Sequence, residues 1–278
     1  MNTILKKNKI SDYFFPLLII GLLFLRFPFA ILLSFHKLPI PSNVGLNILL
    51  NGTYLITAIL IIIKLDFLSD YNIDLLSLFI FISAPIAGLL GEYLLIKAAI
   101  TGTIPADRYK IAVSVLFLIS LFFLRPKLLK NDIKKSLLWL LVSVIIGIFA
   151  GIIMGLITRF YDGLRNPNQP SIFYFFGAFF IQLSNAAITT EPIFRGFLWG
   201  ILKKRRWKDH WIWLFQALLF TLAHIYYLGK YNYSFFIIVP ISSLIFGLVA
   251  CRSRSIGTSM ITHGLVNSIS DTIAHFTW

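Results

Sequence analysis

Apolar residues along this chain fall into long, nearly unbroken runs rather than the alternating or half-buried stripes of a water-soluble domain. Nine runs, at roughly residues 13–35, 46–64, 75–99, 110–125, 136–158, 172–201, 211–228, 234–251 and 256–276, approach or exceed the ~20 residues with which a helix crosses a hydrocarbon core of ~30 Å. Backbone polar groups in lipid must be satisfied within their own segment, so each run predicts a helix. Together they predict an all-α, polytopic transmembrane helix bundle. The fourth run holds only about sixteen apolar residues, so the expectation is eight or nine spans. The first run is longer than a signal-peptide core and lacks a small-residue cleavage site, and it reads as a retained helix. No tandem repeat or long polar linker separates the runs.

Polar positions inside the runs are few and unevenly placed. Glu92 and Glu191 are the two glutamates of the chain, and Glu191 lies in Ser184–Gly200 with Arg195 one helical turn later. A charge at a helix centre costs at least ~2.5–3.5 kcal/mol in a bilayer, so such groups face a protein interior and pair. At i, i+4 a Glu and an Arg share a helix face; a structural ion pair and a functional one are both open on that spacing. His224 lies in the seventh run, and His263 and Asn267 share one face of the ninth, with Asp271 and His275 extending the stripe toward a solvated end. Residues 1–171 therefore read as N-terminal helices, scaffold and cavity wall, and residues 172–278 as the part that holds the chemistry. Arg26, followed by Phe27 and Pro28, reads as an interfacial residue whose long side chain snorkels to the headgroups. Glu92, following Gly88 and Gly91 in the third run, is expected either to be paired structurally or to be part of a polar cavity.

Two histidines, a glutamate and an asparagine on neighbouring helices are satisfied most cheaply around one shared polar cavity among the late helices. A carboxylate there suits a general base acting on water. A histidine beside it can share that water, and a second histidine with an amide NH₂ can supply donors to a developing oxyanion. Those parts suffice to hydrolyse an amide bond within the membrane. The spacing contains no His-Glu-x-x-His signature; no cofactor is expected, and a divalent ion held by Glu191, His224 and His263 stays open as an alternative. Pro192 lacks a backbone donor and disfavours helix at Glu191, which predicts a kink or a break, with Thr189 or Thr190 able to cap a new helical start.

Composition agrees with the pattern and adds a side. The chain is 58% hydrophobic and 13% charged, against about 25% charged in a soluble domain. Its net charge of +14 would suggest nucleic acid in a soluble protein, but the basic residues lie in short loops between runs, so no nucleic-acid partner is expected. With the N-terminus placed inside, one side receives sixteen basic residues (Lys6, Lys7, Lys9, Lys64, Arg125, Lys127, Lys130, Lys134, Lys135, Lys203, Lys204, Arg205, Arg206, Lys208, Arg252, Arg254). The other receives seven: Lys37, Lys97, Arg108, Lys110, Arg159, Arg165 and Lys230. That asymmetry predicts a cytoplasmic N-terminus in a bacterial cytoplasmic membrane. The loop bearing Asp66, Asp70 and Asp74 is acidic on the inside and runs against the trend. One cysteine, Cys251, permits no internal disulfide. Oligomeric state is not written in the sequence.

Glu191-Pro-Ile-Phe-Arg195-Gly196, then Phe220-x-x-x-His224, then His263-x-x-x-Asn267 resemble, in this order, the motifs of the CPBP family. These are the CAAX-protease and bacteriocin-processing (Abi) intramembrane endopeptidases. The stretch Gly247–Asn267 is similar to the family's approach to its last motif, and the resemblance covers about residues 172–270. It implies a bundle of about eight helices around a cavity open to the membrane, and a glutamate-activated water aided by His224. It further implies an oxyanion site at His263 and Asn267, with Arg195 holding the glutamate helix. The implied partner is a membrane protein or peptide substrate in the bilayer. One departure stands out: the family's first motif has two adjacent glutamates, the first taken as catalytic, and Thr190 occupies that position here. Either Glu191 takes over the base, or the chain is a catalytically impaired relative acting as a binding, immunity or scaffold factor. A proton- or ion-coupled transporter fits less well, because the two halves contain no inverted repeat.

Overall fold

The computed structural model describes residues 9–29, 31–32, 35, 37–98, 108–126, 133–163 and 171–275. Of the basic residues used to assign sides, Lys6, Lys7, Lys127, Lys130 and Arg165 lie outside the described residues, as do the side chains of Lys9 and Arg108 and, from the polar stripe of the ninth run, that of His275. Among the described residues all regular structure is helical. α1 (Lys9–Phe24) continues as a π-helical turn, Leu25–Phe29, and is followed by α2 (Ser42–Ile63). A 3₁₀ turn, Leu65–Tyr71, leads into α3 (Leu75–Lys97), then α4 (Arg108–Leu124) and α5 (Ile133–Asp162). α6 (Ile172–Asn185) runs on through π-helical Ala186–Thr190 and Pro192–Leu198 into α7 (Trp199–Lys204). α8 (Asp209–Leu222), α9 (Val239–Ser253) with a π-helical lead-in at Ser234–Ile238, and α10 (Ile256–His275) complete the chain.

Among the described residues, every apolar run contains helix. Five segments, Val44–Ile63, Leu75–Lys97, Lys134–Asp162, Ile172–Lys204 and Ser234–Ser253, are long and apolar enough to cross a membrane. Phe14–Phe29 and Tyr109–Leu124 are shorter apolar helices. Outward-facing Leu138, Leu141, Phe149, Ile153 and Phe160 on α5 are exposed, an apolar face that suits acyl chains and not water.

Lipid tails are as apolar as leucine, so helices in a bilayer associate through close packing and interhelical hydrogen bonds. α5 meets α10 through Gly147, Gly151 and Gly155, spaced one turn apart. A Cβ at Gly155 would stand 2.7 Å from Ile273 Cβ, and one at Gly151 2.8 Å from Ile269 Cβ. α3 meets α6 in the same way, since a Cβ at Gly91 would stand 2.7 Å from the Gly177 carbonyl oxygen. Polar pins join other helices: Tyr54 Oη on α2 donates to the Phe81 carbonyl at 3.0 Å and lies 2.9 Å from Ser114 Oγ on α4. The N-terminal helices are therefore packed directly against the late ones.

The acidic loop that ran against the charge bias has specific partners. Asp74 caps α3, accepting from the Ser77 amide at 2.9 Å, and also accepts from Ser255 Oγ at 2.8 Å. Asp70 pairs with Lys204 at 2.9 Å, and Asn72, in the left-handed region (φ 55°), accepts the Ile256 amide at 2.8 Å. These contacts fix the start of α10, and with it the register of His263 and Asn267.

Candidate active site

Of the expected kink or break, the break does not occur: the chain from α6 to α7 stays helical through Pro192. Glu191 has ordinary right-handed dihedrals (φ −62°, ψ −43°), and its amide bonds to the Ala186 carbonyl five residues back. The i→i+5 register adds a residue to the turn, which accommodates a proline without a donor, and π-helical turns of this kind concentrate at functional sites. The threonines do not cap. Thr189 Oγ1 donates to the Asn185 carbonyl at 2.7 Å and Thr190 Oγ1 to the Ala186 carbonyl at 3.2 Å. Every residue from Ala186 to Gly200 is buried.

Glu191 has no exposure and three partners. Its Oε1 is 2.9 Å from His263 Nδ1, its Oε2 accepts from Ser259 Oγ at 2.6 Å, and the same oxygen is 3.6 Å from Arg195 Nε. Ser259 and His263 are one turn apart on α10, so one helix face supplies two of the carboxylate's hydrogen bonds. Arg195, also without exposure, donates through Nη2 to Ser243 Oγ at 2.8 Å and to the Ser243 carbonyl at 3.1 Å. Its guanidinium carbon lies 4.4 Å from the Phe220 ring centroid and 5.6 Å from that of Phe246, a cation–π setting that offsets part of the lost hydration. Arg195 therefore ties the glutamate helix to α9.

Beside this cluster is a cavity of about 420 Å³, within the range of small-ligand sites. His224, His263, Asn267 and Thr190 all line it, together with Gln182 and Asn185 of α6. His263 stacks on Phe246 (centroids 4.3 Å apart, planes at 18°). His224 Nδ1 is 2.8 Å from the Phe220 carbonyl. That oxygen can only accept, so Nδ1 carries the proton and Nε2 is left as an acceptor. Asn267 Nδ2 donates to Gln182 Oε1 at 3.0 Å. Glu191 does not line the cavity; it sits one layer back, behind His263. Among the described residues no group of three His, Cys, Asp or Glu side chains is placed to share a metal ion.

Several participants were not evident beforehand. Ser259 and Ser243 are small polar residues in apolar runs, though Ser259 stands at the informative i−4 position from His263. Gln182 and Asn185 form an i, i+3 polar pair in α6 whose meaning emerges only with α10 beside it. Asp271, expected at a solvated end, lines the cavity, and so does Arg26, which does not snorkel. The π-helical turn at Leu25–Phe29, held by Phe27 against Phe194 (centroids 6.3 Å apart), turns Arg26 inward. Glu92 is not among the cavity residues.

Residues 171–269 match the family described as type II CAAX prenyl endopeptidase, Rce1-like. The resemblance read from the motifs thus holds over the segment that contains all of them. Comparison with curated proteins and with solved structures yields no match. The match is to a family of endopeptidases.

Proposed function

We propose, from the match of residues 171–269 to the Rce1-like CAAX prenyl endopeptidase family, that the protein is an intramembrane endopeptidase that hydrolyses a peptide bond of a membrane-associated protein or peptide in the cavity among its late helices. The observation that carries this is the 2.9 Å contact between Glu191 Oε1 and His263 Nδ1 at the cavity wall. A carboxylate accepting the Nδ1 proton fixes the tautomer and leaves His263 Nε2 as the base. In this reading Glu191 activates water through His263. Nε2 takes a proton from a water that His224 Nε2 helps to position, the hydroxide adds to the scissile carbonyl carbon, and Glu191 stabilises the imidazolium. The remaining Asn267 amide proton is the donor for the oxyanion, and His263 returns its proton to the leaving amine as the C–N bond breaks. Arg195 and Ser259 hold the carboxylate. The chain would sit in a bacterial cytoplasmic membrane with its N-terminus inside, residues 1–171 supplying scaffold and cavity wall and residues 172–278 the catalytic core.

Purified protein in nanodiscs, given membrane-anchored peptides, should cleave them, and His263→Ala should lower turnover by about 10²–10⁴. Equal turnover in wild type and variant would remove this mechanism. One observation favours a second reading, a binding, immunity or scaffold factor with impaired hydrolysis. Thr190, at the position of the family's first glutamate, lines the cavity with its hydroxyl bonded to its own helix. The variant Thr190→Glu separates the two: it creates activity in an impaired relative and adds none to an enzyme that already works through Glu191 and His263.

A further inference from the structure

A cationic side chain, Arg26, faces the same cavity, and the hydrolytic chemistry makes no use of it. Arg26 is carried by the π-helical turn Leu25–Phe29 and lines the cavity together with His224, Tyr226 and Tyr227. It is close enough to His224, His263 and both tyrosines to interact with them electrostatically. Its Nε is sealed from solvent and has no hydrogen-bond partner among the described residues. Arg195, whose guanidinium is fully buried, has a carboxylate beside it; Arg26, half-buried at the cavity wall, has no ion pair among the described residues. Asp271, a carboxylate on the same cavity, already has an interaction of its own. Guanidinium protons cannot be shed at physiological pH, so a cation in this setting calls for an anion from the ligand. The planar fork of arginine matches a two-oxygen acceptor. Phe27 against Phe194 fixes the turn to the helix of Glu191, so the cation is held at a set place relative to His263.

We propose that Arg26 is an anion subsite of this cavity, and that it binds a carboxylate of the peptide ligand, thereby selecting ligands by charge. The inference rests on the cavity being the ligand site, and its test requires no turnover. Two fluorescent apolar peptides of one sequence, one ending in a free acid and the other in an amide, are titrated into the protein in zwitterionic nanodiscs. The acid should bind wild type at least about tenfold more tightly, the worth of one charge-assisted bond. Arg26→Met should bind both peptides with the affinity wild type shows for the amide, and that amide affinity is the control for folding. Arg26→Lys should keep part of the preference even if Arg26→Met fails to fold. Equal binding of acid and amide to wild type, or a preference that survives Arg26→Met, overturns the proposal. So does an acid preference abolished by adding phosphatidic acid at unchanged amide affinity, which would assign the subsite to a lipid phosphate. Carboxylate selection without any cleavage would keep this subsite and sink the hydrolase reading.

Discussion

Replacing Glu191 by glutamine tests whether the buried carboxylate does chemistry or only locks a helix. The side-chain shape is kept and the charge removed, which leaves Arg195, itself without exposure, facing no carboxylate. Removing one partner of a buried ion pair costs about 3–5 kcal/mol. The bonds from Arg195 to Ser243 and the Phe220 ring persist, so the low end, about 3 kcal/mol, is expected. On the scale of about 2–4 °C per kcal/mol this lowers the midpoint of thermal unfolding by roughly 6–12 °C. Adding Arg195→Met removes the stranded cation. Buried pairs replaced by apolar groups are often neutral in stability, so the double variant should regain most of the lost midpoint. Turnover should not follow. In both proteins His263 has lost the charge that stabilises its protonated form, and the rate should stay about 10²–10⁴ below wild type. Unfolding by intrinsic fluorescence and cleavage of a membrane-anchored peptide, measured on the same nanodisc samples, give both quantities. Turnover recovering in step with stability in the double variant would refute the dyad and leave Glu191 a structural residue.

The remaining predictions are narrower. Ser259→Ala deletes the 2.6 Å bond to Glu191 Oε2 and should cost about 1.5–3 kcal/mol in stability, read by the same unfolding assay. Asn267→Ala should lower kcat by about 10²–10³ with little change in KM if its amide serves the oxyanion; steady-state kinetics decide. Gly155→Val places carbon where even a Cβ would be 2.7 Å from Ile273 Cβ. It should force α5 from α10 and destabilise the protein by about 1–3 kcal/mol, which unfolding measurements would register.

Much of this could be read from the residues alone, because in lipid the exceptions to an apolar run are rare and costly. Glu191, Arg195, His263 and Asn267 announce themselves in that way, and the bundle follows from run length. What stayed hidden depends on register. The i→i+5 turns at Ala186–Thr190 and Pro192–Leu198 rotate successive positions relative to an ordinary helix. They bring Thr190 to the cavity and set Glu191 behind His263, which a 3.6-residue reading does not show. Arg26 was misjudged for a related reason. Considered within its own run it could satisfy itself only at an interface, and most of the cavity it faces is lined by residues from Met154 onward. Asp70 and Asp74 looked out of place until Lys204 and Ser255 were seen opposite them.

Hydrolysis by an activated water is tested most directly by isotope incorporation during cleavage of a membrane-anchored peptide in H₂¹⁸O, with wild type and His263→Ala run side by side. The account predicts one ¹⁸O in the new carboxyl group of each wild-type product and loss of that product in His263→Ala. Product formed equally by both proteins, or no labelled product from wild type with any membrane-anchored peptide, would contradict it.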